Sequence, residues 1–243
     1  MQRDYRESHT SEGYGKFYDN ELFSEGKFDY EMWVKERAIL KELTKKYTNR
    51  GRYMDFACGT GRVLSFLEDN FNEALGLDIS KDMLSVAQKK ITKASLVCGD
   101  VTENPALVNG KFDCITSFRF FLNAQDELRH KALDFIGDKL RDDNSVFIFN
   151  IHGNKFSTRW FLVIFDKIFN ISKQNQMSIN EIKAMIKPHG LDIVEYHGAG
   201  FLYKIFYKYM PSILWHFFEN IFEKISFLKP FSLYFIFVCK KKS

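Results

Sequence analysis

The chain has 243 residues, 45% of them apolar, and a formal charge of +4, enough to bury one substantial core in a single unit. Cys58, Cys98, Cys114 and Cys239 lie in or beside apolar runs with no C-x-x-C pair and no histidine at ligand spacing. They read as small buried hydrophobes, and a disulfide framework or zinc module is excluded. Charge is uneven: residues 201–243 carry seven lysines against two glutamates, a net +5, which leaves the first 200 residues at −1 and argues against a general nucleic-acid-binding surface.

Residues 1–15 are charged and polar and do not resemble a signal peptide, so a reduced, cytoplasmic setting is the expectation. Residues 1–28 scatter Tyr14, Phe17, Tyr18, Phe23 and Phe28 among glycines and polar residues, the composition of a loop with a short helix. Over 29–47, Met32, Trp33, Ile39, Leu40 and Leu43 fall on one face of a helix with Asp29 as its N-cap.

The stretch 52–67, RYMDFACGTGRVLSFL, then reads as strand, small-residue turn and helix. Gly59 and Gly61 let the backbone turn tightly and approach a ligand, and the helix beyond them offers free N–H groups to an anionic or hydrogen-bond-accepting partner. A dinucleotide fingerprint would need a third glycine where Leu64 stands, and the Gly-Lys-Ser/Thr of a phosphate loop is absent, which weakens both pyrophosphate readings.

The pattern Asp-x-Ala-x-Gly-x-Gly, with Asp55, Ala57, Gly59 and Gly61, resembles the first motif of class I S-adenosylmethionine-dependent methyltransferases. The likeness continues at three further strand ends. Asp78 closes the apolar run ALGLD, where an acid at the tip of a second Rossmann-like strand accepts from ribose hydroxyls. Ser80 fills the N-cap of a helix over 81–90 better than Asp78 does. A third strand, 95–98, ends in Gly99-Asp100-Val101, whose acid and following N–H the resemblance sets against the adenine edge. It also implies cofactor contacts from Ile79, Met83, Ser117 and Tyr18, with residues 1–28 as a lid and Tyr14 on the substrate side. The resemblance covers about 50–150 well and the rest in outline.

A fourth strand over 112–117 leads into Phe118-Arg119-Phe120-Phe121-Leu122-Asn123, a helix follows over 124–141, and 146–151 is a fifth, buried strand. His152 emerges just past it, where the chemistry of an open parallel sheet sits, and an imidazole there can take a proton from an attacking alcohol or amine. A structural hydrogen bond is the plainer role. Arg119, Asn123, Asn150 and Asn154 are expected to flank the same cleft, although Arg119 could equally pair with an acid. An aromatic insertion over 156–171 precedes a Ser-x-x-Glu capping box at Ser178 and Glu181, then strands over 191–196 and 231–239. Between those strands, 201–230 holds two aromatic-rich, lysine-bearing helices split near Pro211, with no charge-free span of 18 residues. A cap on the core, a homodimer contact and a peripheral membrane contact are all open for it.

The expected fold is therefore α/β, a Rossmann-like, seven-stranded, mostly parallel sheet with helices on both faces and a helical insertion before the last strand. It forms one domain over 1–243: lid and helix at 1–47, cofactor core at 50–151, acceptor-side helices and caps at 152–230, and last strand at 231–239. The resemblance implies methyl transfer from S-adenosylmethionine, leaving S-adenosylhomocysteine, to an oxygen or nitrogen of a small molecule, sugar or lipid-linked glycan, with no metal and no nucleic acid partner. A nucleotide-cofactor oxidoreductase and a non-catalytic S-adenosylmethionine-binding protein are the alternatives.

Overall fold

The computed structural model describes residues 5–8, 13–159 and 175–242. Seven strands, β1 (Arg52–Phe56), β2 (Glu73–Asp78), β3 (Ser95–Cys98), β4 (Cys114–Ser117), β5 (Val146–Ile151), β6 (Leu191–Ala199) and β7 (Tyr234–Lys241), form one sheet in the order β3-β2-β1-β4-β5-β7-β6. The first five are parallel, while β7 runs antiparallel to both β5 and β6. Strand order reverses between β1 and β4, so the crevice beyond their carboxyl ends is where such a sheet receives a ligand.

Alternation along the strands builds a core on each face. Met54, Ile115, Phe147, Phe149 and Phe237 pack with Phe121, Leu133 and Ile136 on one side; Tyr53, Cys114, Ile148 and Val238 pack with Leu40, Leu43, Leu64 and Leu67 on the other. The rings of Phe147, Phe149 and Phe237 stack at 5.0 and 5.3 Å across the sheet centre. Gly76 sits inside β2 because a Cβ there would come within 2.5 Å of Leu64 and 2.8 Å of Leu96.

Several local expectations hold. Ser80 Oγ accepts from the Met83 amide at the start of the Lys81–Ala87 helix. Ser178 and Glu181 form the reciprocal capping box of the Ile179–Ile186 helix. Pro211 separates the helices Lys204–Tyr209 and Ser212–Lys224. Others are corrected. The first long helix is Phe28–Tyr47, and Lys27 caps it without a side-chain bond, so Asp29 lies in the first turn, free to reach Arg119. Cys98 is exposed, because β3 is an edge strand with only β2 beside it. The last strand starts at Tyr234 rather than 231: Pro230 cannot donate to a ladder, and Ser226–Phe231 coils as a 3-10 turn. Of the expected aromatic insertion, 160–171 lies outside the described residues. Among the described residues no helix is long and apolar enough to cross a membrane.

Candidate functional site

The turn after β1 is held in a demanding conformation. Ala57, Gly59 and Gly61 all have left-handed backbone, with φ of 56°, 55° and 73°. For Ala57 this costs on the order of 1–2 kcal/mol, the kind of strain that persists at ligand sites. The Cys58 amide donates to the Leu77 carbonyl at 2.9 Å, and the Gly59 amide to Asp78 Oδ2 at 2.8 Å, so β2 fixes the turn. Gly61 has a second reason to be glycine, since a Cβ would come 2.9 Å from that of Ala87.

Beyond these strand ends lies a cavity of about 300 Å³ lined by Asp55, Ala57, Gly59, Asp78, Ile79, Met83, Asp100 and Val101 from the sheet side and by Tyr14 and Tyr18 from the N-terminal segment. That segment is clipped down by Asp82, whose carboxylate accepts the Gly13 amide at 3.1 Å and the Gly15 amide at 2.6 Å, and by an ion pair between Asp19 and Lys90. Three expectations need correcting. Ser117 is fully buried and does not line the cavity, and its hydroxyl is buried without a hydrogen-bond partner. Gly61 lies under the turn, against Ala87, and acts through shape. Tyr14 lines this cavity and not the acceptor-side one.

Two charged groups in this cavity are poorly satisfied by the protein. Asp55 Oδ1 accepts from Thr116 Oγ1 at 2.6 Å, but its Oδ2 is buried with no partner, and burial pushes the carboxyl up to about 7 against the lowering effect of Thr116. Arg62, immediately after the motif, stacks its guanidinium over Phe23 at 4.1 Å and Trp33 at 4.3 Å. Its Nη1 is buried without a hydrogen bond, 3.8 Å from Glu36.

A second cavity of about 410 Å³ adjoins the first, and Arg119, Asn123 and His152 line both. His152 Nε2 lies 3.5 Å from Asn123 Nδ2, which also donates to the Arg119 carbonyl at 3.0 Å; His152 Nδ1 is buried and unpartnered. Burial first, then the Arg119 and Arg62 cations, hold the imidazole well below its ordinary pKa, so it is neutral at physiological pH. Arg119 has left-handed backbone, with φ of 67°. Its amide donates to Asn150 Oδ1 at 2.6 Å, and its guanidinium pairs with Asp29 at 2.9 Å.

Asn150 is thus not in the cleft as expected: it lines neither cavity, is fully buried, and passes Nδ2 to Glu36 Oε1 at 2.6 Å. Asn154 lines the second cavity, but its amide is committed to the Pro230 and Ser232 carbonyls, each at 2.8 Å, and to the Phe156 N–H. Sequence reasoning missed Arg62, Glu36 and Asp82, and it missed Arg159, Tyr203 and Tyr234 in the second cavity. Glu36 left a signal, a charge inside the apolar stripe Met32, Trp33, Leu40, Leu43 that ended up fully buried. Asp82 left none, because its partners are backbone amides some 70 residues away in sequence.

A family model described as a methyltransferase domain matches residues 54–143. An uncharacterized protein of Methanocaldococcus jannaschii is 31% identical over 219 residues, covering 84% of this chain and 82% of its own length. A dTDP-3-amino-3,6-dideoxy-α-D-glucopyranose N,N-dimethyltransferase of Streptomyces fradiae is 36% identical over 70 residues, 28% of each chain. Among solved structures, magnesium protoporphyrin IX methyltransferase of Synechocystis with bound SAH aligns at a TM-score of 0.65 and 12% identity over 93% of this chain and 97% of that one, a likeness of fold.

The first cavity fits S-adenosylmethionine. That molecule brings ribose hydroxyls, an adenine edge, and an amino-acid end carrying both an ammonium and a carboxylate. The lining offers Asp78 and Asp100 at successive strand tips, together with a buried Asp55 carboxylate oxygen and a buried Arg62 nitrogen that have no hydrogen-bond partner, the latter 3.8 Å from Glu36. The chain belongs to the class I S-adenosylmethionine-dependent methyltransferases, built on their seven-stranded sheet, with S-adenosylmethionine as its cofactor.

Proposed function

We propose that the protein moves the methyl group to an oxygen or nitrogen of a small acceptor seated in the second cavity. The observation that carries this reading is the junction: Arg119, Asn123 and His152 line both cavities at once, so a nucleophile on one side can meet a methyl group on the other. When bound, S-adenosylmethionine supplies an electrophilic methyl on a sulfonium. Asp78 and Asp100 would hold its nucleoside, and Asp55 and Arg62 its amino-acid end. A small molecule, sugar or lipid-linked glycan is the acceptor class, and the similarity to an aminosugar N,N-dimethyltransferase supports a sugar amine among these, although it spans only 70 residues.

The chain contributes alignment and a proton acceptor. With the methyl donor bound, the acceptor would form its bond to the methyl as the carbon–sulfur bond breaks, and His152 would take the acceptor's proton. Asn123 donates to Nε2, which leaves Nδ1 carrying the ring proton and Nε2 as the lone pair. At 3.5 Å that contact is long, and an entering hydroxyl or amine competes for it. Neutrality of His152 keeps the lone pair available. Holding nucleophile and methyl in line supplies roughly 7–11 kcal/mol of the barrier reduction, and a positioned base on the order of 10²–10⁴-fold in rate. Asp29 sets Arg119, and Asn150 sets its backbone, so the guanidinium presents a fixed edge to the acceptor.

The test is a methyl-transfer screen with labelled S-adenosylmethionine over amino sugars, nucleotide-linked sugars, small carboxylates and polyprenyl-linked sugars. Label should pass to at least one member, and His152→Asn should slow that transfer with cofactor affinity intact. Transfer only to protein or nucleic acid would overturn the small-acceptor reading.

A further inference from the structure

Fourteen large apolar side chains are exposed among the described residues, and ten of them lie between Ile205 and Phe231. The pattern is not that of a helix pair capping a core. In the Ser212–Lys224 helix the buried residues are Trp215 and Glu219, one turn apart, while Ile213, Leu214, Phe217, Phe218 and Ile221 are exposed. At 3.6 residues per turn those five cover a sector of roughly 140° that faces away from the protein. Ile213 is 80% exposed, and Tyr209 and Phe227, on either side of this helix, are 73% and 75% exposed.

The helix is held in this orientation by polar contacts. Glu219 accepts the Phe201 amide at 2.9 Å and the Leu202 amide at 2.6 Å, with Lys35 Nζ at 3.4 Å. Lys35 also lies over the Trp215 ring at 5.6 Å. Rolling the helix to bury its apolar sector would strand that carboxylate and those amides, each a costly loss. The apolar face is therefore built to point outward, and contiguous patches of this extent mark contact sites.

Charge selects the occupant. Lys204, Lys208 and Lys224 are exposed on the same two helices, whereas both acids of the segment are already engaged, the buried Glu219 by the backbone and the exposed Glu223 by Lys35 at 2.6 Å. A second copy meeting this face about a two-fold axis would set lysines against lysines. A bilayer carrying anionic headgroups accepts apolar side chains below its phosphates and lysines among them. We propose that residues 204–231 are a docking face for an anionic membrane surface, on which the two helices lie in the interfacial plane. Tyr203 and Lys204, at the start of this segment, also line the second cavity, so docking would bring a lipid-borne acceptor to it. Only that last consequence rests on the proposed reaction.

The experiment is sedimentation of the full chain with vesicles of phosphatidylglycerol and phosphatidylcholine in equal parts, against vesicles of phosphatidylcholine alone. The protein should sediment with the anionic vesicles, and less so as salt is raised. Lys208→Gln with Lys224→Gln should weaken partitioning about 30-fold, at about fivefold per lysine. Ile213→Ser with Phe217→Ser should abolish it while leaving melting temperature and S-adenosylmethionine affinity unchanged, since both side chains are exposed and line neither cavity. Failure to bind anionic vesicles overturns the proposal, as does binding that the Ile213/Phe217 variant retains. A dimer seen by analytical ultracentrifugation that this variant disperses, with no vesicle binding, would overturn it too and make the face an interface between copies.

Discussion

Asn150→Ala tests how the acceptor side is held together. The side chain makes two short bonds in a fully buried position, accepting from the Arg119 amide at 2.6 Å and donating to Glu36 at 2.6 Å. Truncation leaves a backbone N–H and one oxygen of a buried carboxylate without partners. At about 1–3 kcal/mol for the neutral group and more for the charged one, the loss is on the order of 3–5 kcal/mol. For a chain of this length each kcal/mol lowers the melting temperature by about 2–4 °C, so a fall of roughly 6–20 °C is expected. The Arg119 backbone would also leave its left-handed conformation, which should raise KM for the acceptor more than it alters cofactor affinity. Urea and thermal unfolding measure the first effect; acceptor kinetics, beside calorimetric titration with S-adenosylmethionine, measure the second. Asn150→Asp is the companion, because it still accepts from Arg119 but sets a second carboxylate against Glu36, so its stability should rise as pH falls. A loss below about 1 kcal/mol for Asn150→Ala would refute the buried relay, that being no more than one ordinary hydrogen bond.

His152→Asn should lower kcat by roughly 10²–10⁴-fold with unchanged cofactor affinity; an unchanged kcat would reduce His152 to a structural role. Because its folded pKa is depressed, the unfolded chain takes up a proton near pH 6.5 that the native state refuses, so this group's contribution to stability is present above that pH and lost as pH falls below it, as denaturation at a series of pH values would show. Asp55 has the opposite sign: raised from 3.8 to about 7, it favours the native state less as pH rises between those values. A cofactor ammonium would favour its ionised form, so affinity for S-adenosylmethionine should strengthen as pH rises through about 7, and Asp55→Asn should flatten that profile.

What the sequence made legible was local and periodic. The strand-turn-helix at 52–67, the acid at the end of β2 and the capping box at Ser178 each depend on neighbours a few residues apart, and each is where its pattern put it. What it left illegible was partnership across the chain. Asn150, one residue before a strand's last position, carries no mark that distinguishes a cleft-facing amide from one bonded to a helix 114 residues earlier. Arg119 reads from sequence as either ligand-facing or paired; Asp29 pairs with it, and it still lines the two cavities. The outward turn of the Ser212–Lys224 helix was hidden for the same reason: its apolar content suits a buried cap, and only the Glu219 contacts with residues 201 and 202 fix which face looks out.

Calorimetric titration of the full chain with S-adenosylmethionine and S-adenosylhomocysteine, on the wild type and on Asp78→Ala, tests the account most directly. Asp78 fixes the turn through Gly59 and lines the cavity, so its loss should weaken binding by roughly 10- to 100-fold, the worth of a charge-assisted hydrogen bond of about 1.5–3 kcal/mol. Such a cofactor site predicts binding of one molecule per wild-type chain and that weakening in a folded variant. No binding of either molecule to the folded wild type, or an Asp78→Ala protein that binds as tightly, would contradict it.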